Sequence, residues 1–378
     1  MVRSRLSMHE ERIRWWRTDL GQDEIDALAA AVRDRRINQG PLCRELELRL
    51  AEVAGVAHAA VTTSGSVALA LAMLAAGVRA GDEVVVPAAT FIAPAHAALL
   101  LGAKVRLADV HRDRPLIDPR AVEAAISERT RAVVVVHLGG RAADVAAVRA
   151  VAARVGAAVI EDCAQAFTSR GPAGPLGSLG DAAAFSLGIT KLVTTGEGGF
   201  VAAHSEADYR RLVELRNHGT ADISRNRFDA PGFNFRLTDL QAAVGLAQLE
   251  KLEQKRAGVA RVYRFYEQAL RDVPYLRMLD VRVSDGELPL WAEVLTGDRE
   301  RVSSRLAERG IEAKAFHPSL ADSPHVAATG EFPNARRFAS LGLTLPSGPD
   351  QPESSLERVV DALRGLASEI APLEWPPA

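Results

Sequence analysis

Three runs form one nearly continuous block: AVIEDCAQAF (158–167), GPAGPLGSLG (171–180) and DAAAFSLGITKLVTTGEGGF (181–200). The first apolar run ends in two acids, Glu161 and Asp162. The second, AAAFS, leads to a single lysine, Lys191, and then to TTGEGG. Short runs apolar throughout are typical of strands buried on both faces of a parallel sheet. An acid leaving the carboxyl end of such a strand stands where open α/β sheets bind ligands. The glycine-rich link leads into an apolar run and opens no helix, so it does not fit a nucleotide-binding glycine motif.

The same texture extends outward. AAVTT (59–63), EVVVP (83–87), KVRLAD (104–109) and RAVVVVH (131–137) are predicted strands. SVALALAMLAA (66–76), the segment 93–101, PRAVEAAI (119–126) and DVAAVRAVAARV (144–155) are predicted helices between them. Strands alternating with helices predict a mainly parallel sheet covered on both sides. Upstream, helical spacing marks 23–35 and 44–53, and residues 1–21 read as a loose arm. Downstream, 237–270 reads as one long helix. LPLWAEVL (288–295) and IEAKAF (311–316) read as strands, with RERVSSRLAERG (299–310) and 353–370 as helices.

A desolvated lysine amine can form a Schiff base with an aldehyde. Enzymes using pyridoxal 5′-phosphate (PLP) combine such a lysine with an acid at the pyridine nitrogen and a cradle for the phosphate. Lys191, Asp162 and Ser186 offer these three parts in order. Each alone is ordinary as a surface lysine, a strand end and a turn residue; the combination carries the inference.

EDCAQAF, GDAAAFSLGITK and TTGEGG closely resemble the DegT/DnrJ/EryC1/StrS family of PLP-dependent aminotransferases, which act mostly on keto sugars. TTSGSVALALAML, GDEVVVPAATFIAP, VVVVHLGGRAADV, ELRNHGT and GFNFRLTDLQAAVGLAQLEKLE extend the likeness. The resemblance implies an α/β, fold-type-I architecture. A large PLP-binding domain (1–250, arm 1–21) would carry a mainly parallel seven-stranded sheet between helices, and a smaller C-terminal α+β domain would follow (251–378). By the same resemblance, Lys191 holds the cofactor and moves protons, and Asp162 faces the pyridine nitrogen. Gly65, Ser66 and Val67 cradle the phosphate with Ser186. Phe91 stacks on the ring, and Gln165 touches its face or 3′-oxygen. Asn234 reaches the phosphate of the neighbouring subunit, which implies a homodimer with shared active sites. His137, His218 and His317 are candidate substrate contacts.

The implied reaction moves an amino group from glutamate or glutamine to a keto sugar, nucleotide-linked, in amino-sugar, antibiotic or surface-polysaccharide synthesis. AFHPSLADSPHV (315–326) and GELPLWAEVL (286–295) depart from the family's usual small-domain pattern. A keto-cyclitol acceptor, or PLP chemistry other than transamination on an amino-acid-derived substrate, therefore stays open.

The 378 residues, 48% hydrophobic and 25% charged, suffice for two domains. A net charge of −2 leaves no basic footprint for nucleic acid. The N-terminus lacks the apolar stretch of a signal peptide, and no run suits a membrane span. Two cysteines make no disulfide framework and suit a cytoplasmic location. Nine dispersed histidines show no metal-ligand spacing, so no metal is expected.

Overall fold

The computed structural model describes residues 12–375; the first eleven residues of the expected arm lie outside the described residues. The sheet strands are β1 (His58–Thr62), β2 (Glu83–Pro87), β3 (Lys104–Ala108), β4 (Thr130–Val136) and β5 (Ala158–Asp162). After a two-residue ribbon, β6 (Arg170–Gly171) with β7 (Gly174–Pro175), come β8 (Ala182–Ser186) and β9 (Gly199–Ala203). The seven strands lie in the order β1-β9-β8-β5-β4-β2-β3. Only β9 runs antiparallel to its neighbours; the other pairs are parallel. The expected α/β fold with a mainly parallel seven-stranded sheet is therefore present.

Local chemistry explains the sheet. β2 and β4 are built largely of valine, whose branched Cβ suits a pleated surface, and Val84–Val86 and Ala132–Val135 are fully buried. Helices cover them, so neither face needs polar residues. At the β8–β9 pair, Phe185 and Phe200 are direct cross-strand partners. Their rings stack at 4.3 Å, and Phe167 meets both edge-on.

A second sheet contains β10 (Leu276–Met278), β11 (Glu293–Thr296), β12 (Lys314–Ala315) and β13 (Gly342–Thr344), in the order β10-β11-β13-β12 and antiparallel throughout. Its strands are shorter than the sequence pattern predicts. Residues 288–292 run as irregular chain because their backbone is committed elsewhere: the Leu288 N–H donates to Ser169 Oγ (2.9 Å). The predicted long helix is also broken. It ends at Glu250 and restarts at Leu252, and between them the Lys251 ammonium reaches Glu24 (2.7 Å).

The described part of the arm is not loose. Ile13 and Glu312 exchange backbone hydrogen bonds with their neighbours across the gap (Ile13 N to Gly310 O, Glu312 N to Ile13 O, both 2.9 Å), and Trp15–Arg17 bracket Ser347 in the same way. Ile13 and Trp16 are buried. No local period marks this segment, because its backbone partners are more than 290 residues away.

Residues 279–293 dock on the large sheet through one buried cation. Arg141 donates to Leu138 O, Leu279 O and Asp280 O, and pairs with Glu293 at 2.6 Å. Both side chains are sealed from water. Both Glu287 oxygens accept from Arg114 Nη2 (2.7 and 2.8 Å), and they also take the Ala142 and Arg282 amides. Gly140, at φ +87°, allows this approach; a Cβ there would lie 1.8 Å from the Leu288 carbonyl oxygen. No helix among the described residues is long and apolar enough to cross a membrane.

Removing one member of a buried ion pair strands the other charge, at a cost of about 3–5 kcal/mol. Glu293→Gln should lower unfolding stability by about that amount in urea titration. The double variant Arg141→Met/Glu293→Leu should lose distinctly less.

Candidate active site

The site gathers at the carboxyl ends of β2, β5 and β8. Adjacent residues of a strand point to opposite faces, and at the end of β5 this separates two acids. Glu161 turns into the protein. One oxygen accepts from the Leu179 and Gly180 amides (2.7 and 2.6 Å), the other from the Gly177 amide and His137 Nε2 (both 2.9 Å). Burial would raise this carboxyl, but the His137 bond and the Gly180 and Gly177 amides outweigh it and hold it below the usual carboxylate range. The glycine-rich link thus encloses a buried carboxylate.

Asp162, 5% exposed, turns the other way. Its Oδ1 accepts from the Ala164 N–H at 2.9 Å, and Oδ2 has no hydrogen-bond partner among the described residues. Burial pushes its carboxyl up; the Ala164 N–H and the Lys191 charge pull it part of the way back.

Lys191 follows β8 in a turn closed by its own N–H on Gly188 O (3.0 Å). Its Nζ lies 5.4 Å from the centre of the Trp291 ring. Burial lowers its pKa to about 8, with Asp162 opposing and Lys314 reinforcing the shift. Trp16 Nε1 and Thr18 Oγ1 both donate to Ile189 O (3.1 and 2.8 Å), so the arm pins the turn two residues before this lysine.

The phosphate cradle can be tested against the structure. Helix Gly65–Ala75 starts against Ser186: a Cβ on Gly65 would lie 2.8 Å from Ser186 Cβ. The Gly65 and Ser66 amides have no acceptor among the described residues. Helix-start amides beside a hydroxyl suit a phosphate. Val67 departs from expectation, because its amide is already given to the N-cap oxygen, Ser64 Oγ, at 3.2 Å. The unpartnered Asp162 oxygen, the lowered lysine and the open helix start together fit PLP.

Phe91 follows β2 and is half exposed, edge-on to His317 at 5.8 Å. The pairing of Ala89 with Ser319 and the Leu320 N–H on Ala88 O (2.8 Å) bring these two loops together. Gln165 accepts the Gly139 N–H (2.8 Å) and lies 3.3 Å from His317 Nε2. Burial, with the charges of Lys314 and Lys191, pushes His317 down to about 4.

His137 is a correction. It is fully buried; Nδ1 accepts from the Ala143 N–H (3.1 Å), and Nε2 therefore donates to Glu161. With both nitrogens engaged it supports the strand end instead of facing a substrate. His137, Glu161 and Cys163 bring ligand atoms within 4.8 Å of one another, but Glu161 is saturated by the hydrogen bonds above. His218, at φ +59°, and the exposed Asn234 sit side by side, joined through the Asn217–Asn234 pairing. Asn234 Oδ1 accepts from Arg236 Nε (2.9 Å), and no hydrogen bond or ring contact among the described residues ties either residue to Lys191.

Sequence reasoning missed Trp291, Lys314 and Trp15. Lys314 Nζ rests 4.6 Å over Trp15, which meets Trp291 edge-on at 6.1 Å. Period-two alternation in β5 was the one available signal for the role of Glu161.

A lysine of lowered pKa, a buried acid with an open oxygen and a helix-start cradle on this sheet define the class of fold-type-I, PLP-dependent enzymes. A sequence model of the DegT/DnrJ/EryC1/StrS aminotransferase family matches residues 18–364, and the chain belongs to that family. It is 36% identical over 327 residues to GDP-perosamine synthase of Caulobacter vibrioides, covering 84% of this chain and 88% of that protein. It is 31% identical over 373 residues to the spore coat polysaccharide biosynthesis protein SpsC of Bacillus subtilis, covering 92% and 95%. The solved structure of DesV from S. venezuelae superposes with TM-score 0.90 at 32% identity, over 95% of this chain and 100% of that one. The chain is thus an aminotransferase with PLP as its cofactor.

An amine of pKa about 8 is half neutral at that pH, where an ordinary lysine is almost wholly protonated. The rate at which cofactor-free protein captures PLP should rise with pH and level off above about 8. A stopped-flow pH series checks this. Glu161 has the opposite consequence. Its folded pKa is depressed below 4.5, so its stabilisation is present above that pH and is lost as pH falls through the folded value. Glu161→Gln should be less stable at neutral pH and flatter in acid, by urea midpoints.

Proposed function

We propose that this enzyme transfers the amino group of glutamate or glutamine to the keto carbon of a nucleotide-linked sugar, in the synthesis of an amino sugar for a surface polysaccharide or antibiotic. The observation that carries the reading is the half-buried Lys191 amine, lowered to about 8 within the electrostatic reach of Asp162. The names of the relatives, a GDP-perosamine synthase and a polysaccharide biosynthesis protein, support the sugar class.

The bound cofactor supplies an electron-withdrawing ring conjugated to the reacting carbon. Asp162 Oδ2 would hold the pyridine nitrogen protonated. Lys191 Nζ would hold the cofactor and would serve as the base that takes the substrate proton and returns it. The Gly65 and Ser66 amides and Ser186 would hold the phosphate, and Phe91 would cover the ring. Asn234 of the partner subunit completes the cradle in a homodimer, consistent with its exposure in a single chain. The reaction takes place in the cytoplasm.

The test is a half-reaction. Glutamate added to the holoenzyme should shift the cofactor's near-visible absorbance and release 2-oxoglutarate. Lys191→Ala should abolish both, a loss of at least about a thousandfold in rate. Normal amino transfer by Lys191→Ala, or no half-reaction with any amino donor in the wild type, would refute the proposal. A screen of nucleotide-linked keto sugars against inososes then separates the sugar from a cyclitol.

A further inference from the structure

The orientation of one buried amide assigns a proton in the site. The Gly139 N–H donates to Gln165 Oε1, so the other end of that amide, Nε2, is the end 3.3 Å from His317 Nε2. An amide nitrogen only donates. His317 Nε2 must therefore accept, and its ring proton resides on Nδ1. That Nδ1 has no partner among the described residues and is not sealed from solvent. The ring stands between Phe91 (5.8 Å) and Trp291 (6.3 Å), and Trp291 also meets Lys191 Nζ. Gln165 follows β5 of the large sheet, whereas His317 follows β12 of the small one.

We propose that Gln165 fixes His317 as a neutral Nδ1–H donor to an oxygen of the keto acceptor, orienting the acceptor over Lys191 without exchanging protons. This rests on the aminotransferase reading above. The surroundings favour it. Lys191 faces the ring from the catalytic turn and Lys314 from β12; the flanking Gln165, Phe91 and Trp291 carry no charge. Two nearby cations and burial disfavour a protonated ring, and His317 stays neutral well below physiological pH. A neutral ring keeps Nε2 available to accept, and so keeps the donor on Nδ1. A charged ring would forfeit that selectivity.

The direct readout is nitrogen-15 NMR of histidine-labelled protein. It should show His317 as the Nδ1–H tautomer with no titration between about pH 5.5 and 8. Gln165→Glu replaces the amide donor with a carboxylate acceptor. The proton should move to Nε2, and the ring should begin to titrate in that range. In steady-state assays with a dTDP-linked keto-deoxyhexose and scyllo-inosose as keto probes, His317→Phe should raise KM for the probe that is used about tenfold. His317→Asn, which keeps a donor, should recover most of it.

An Nε2–H tautomer in the wild type, ordinary titration near 6.5, or an unchanged probe KM in His317→Phe would overturn the proposal. The NMR measurement needs neither cofactor nor substrate. Its failure therefore sinks the tautomer assignment alone, whereas failure of the glutamate half-reaction sinks the aminotransferase reading.

Discussion

The site depends on two carboxylates, neighbours in sequence, being turned to opposite sides of one strand. Glu161 is held by four donors from two segments, three amides of the 177–180 link and His137 Nε2. That fixes the end of β5. Asp162 is then presented in the cleft with one oxygen engaged and one open. Burying two adjacent carboxylates is costly unless each finds compensation. Here the structure compensates one fully with hydrogen bonds and leaves the other to meet a charged ligand atom.

The second requirement is that the small sheet stay fixed against the large one. Arg141 and Glu287 lock residues 279–293 onto the loops after β3 and β4, which carries Trp291 to Lys191. The contact between 88–89 and 319–320 sets His317 beside Phe91. The arm closes the third side by anchoring to β13's neighbourhood and to the Ile189 carbonyl. The lysine environment is thus assembled from four separate regions of the chain. Its lowered basicity follows from enclosure by tryptophan and from a second lysine, and Asp162 offsets only part of that effect.

These arrangements explain why the small-sheet segments departed from their apolar patterns. Residues 288–292 look like a strand because they are buried and apolar, but they are buried by docking on Ser169 and Gly140. The break at Lys251 arises where its ammonium is drawn to Glu24, from a helix more than two hundred residues earlier. His137 ended a valine run beside a glycine turn, a position that suits a site residue equally well; only its two hydrogen bonds reveal a supporting role.

The sequence alone determined the sheet and the chemistry carried on it. Valine-rich runs broken by helical stretches dictate a parallel sheet, because burial on both faces and β-branching are local properties. The spacing of Asp162, Ser186 and Lys191 is likewise local, since each sits at or just past a strand end. The tertiary structure decided which of two adjacent acids faces the cleft, which helix-start amides remain unclaimed and which histidine is neutral. It also decided that Trp15, Trp291 and Lys314 belong to the site. Each of those depends on partners remote in sequence, and burial, hydrogen-bond pairing and charge proximity exist only once the chain has closed on itself.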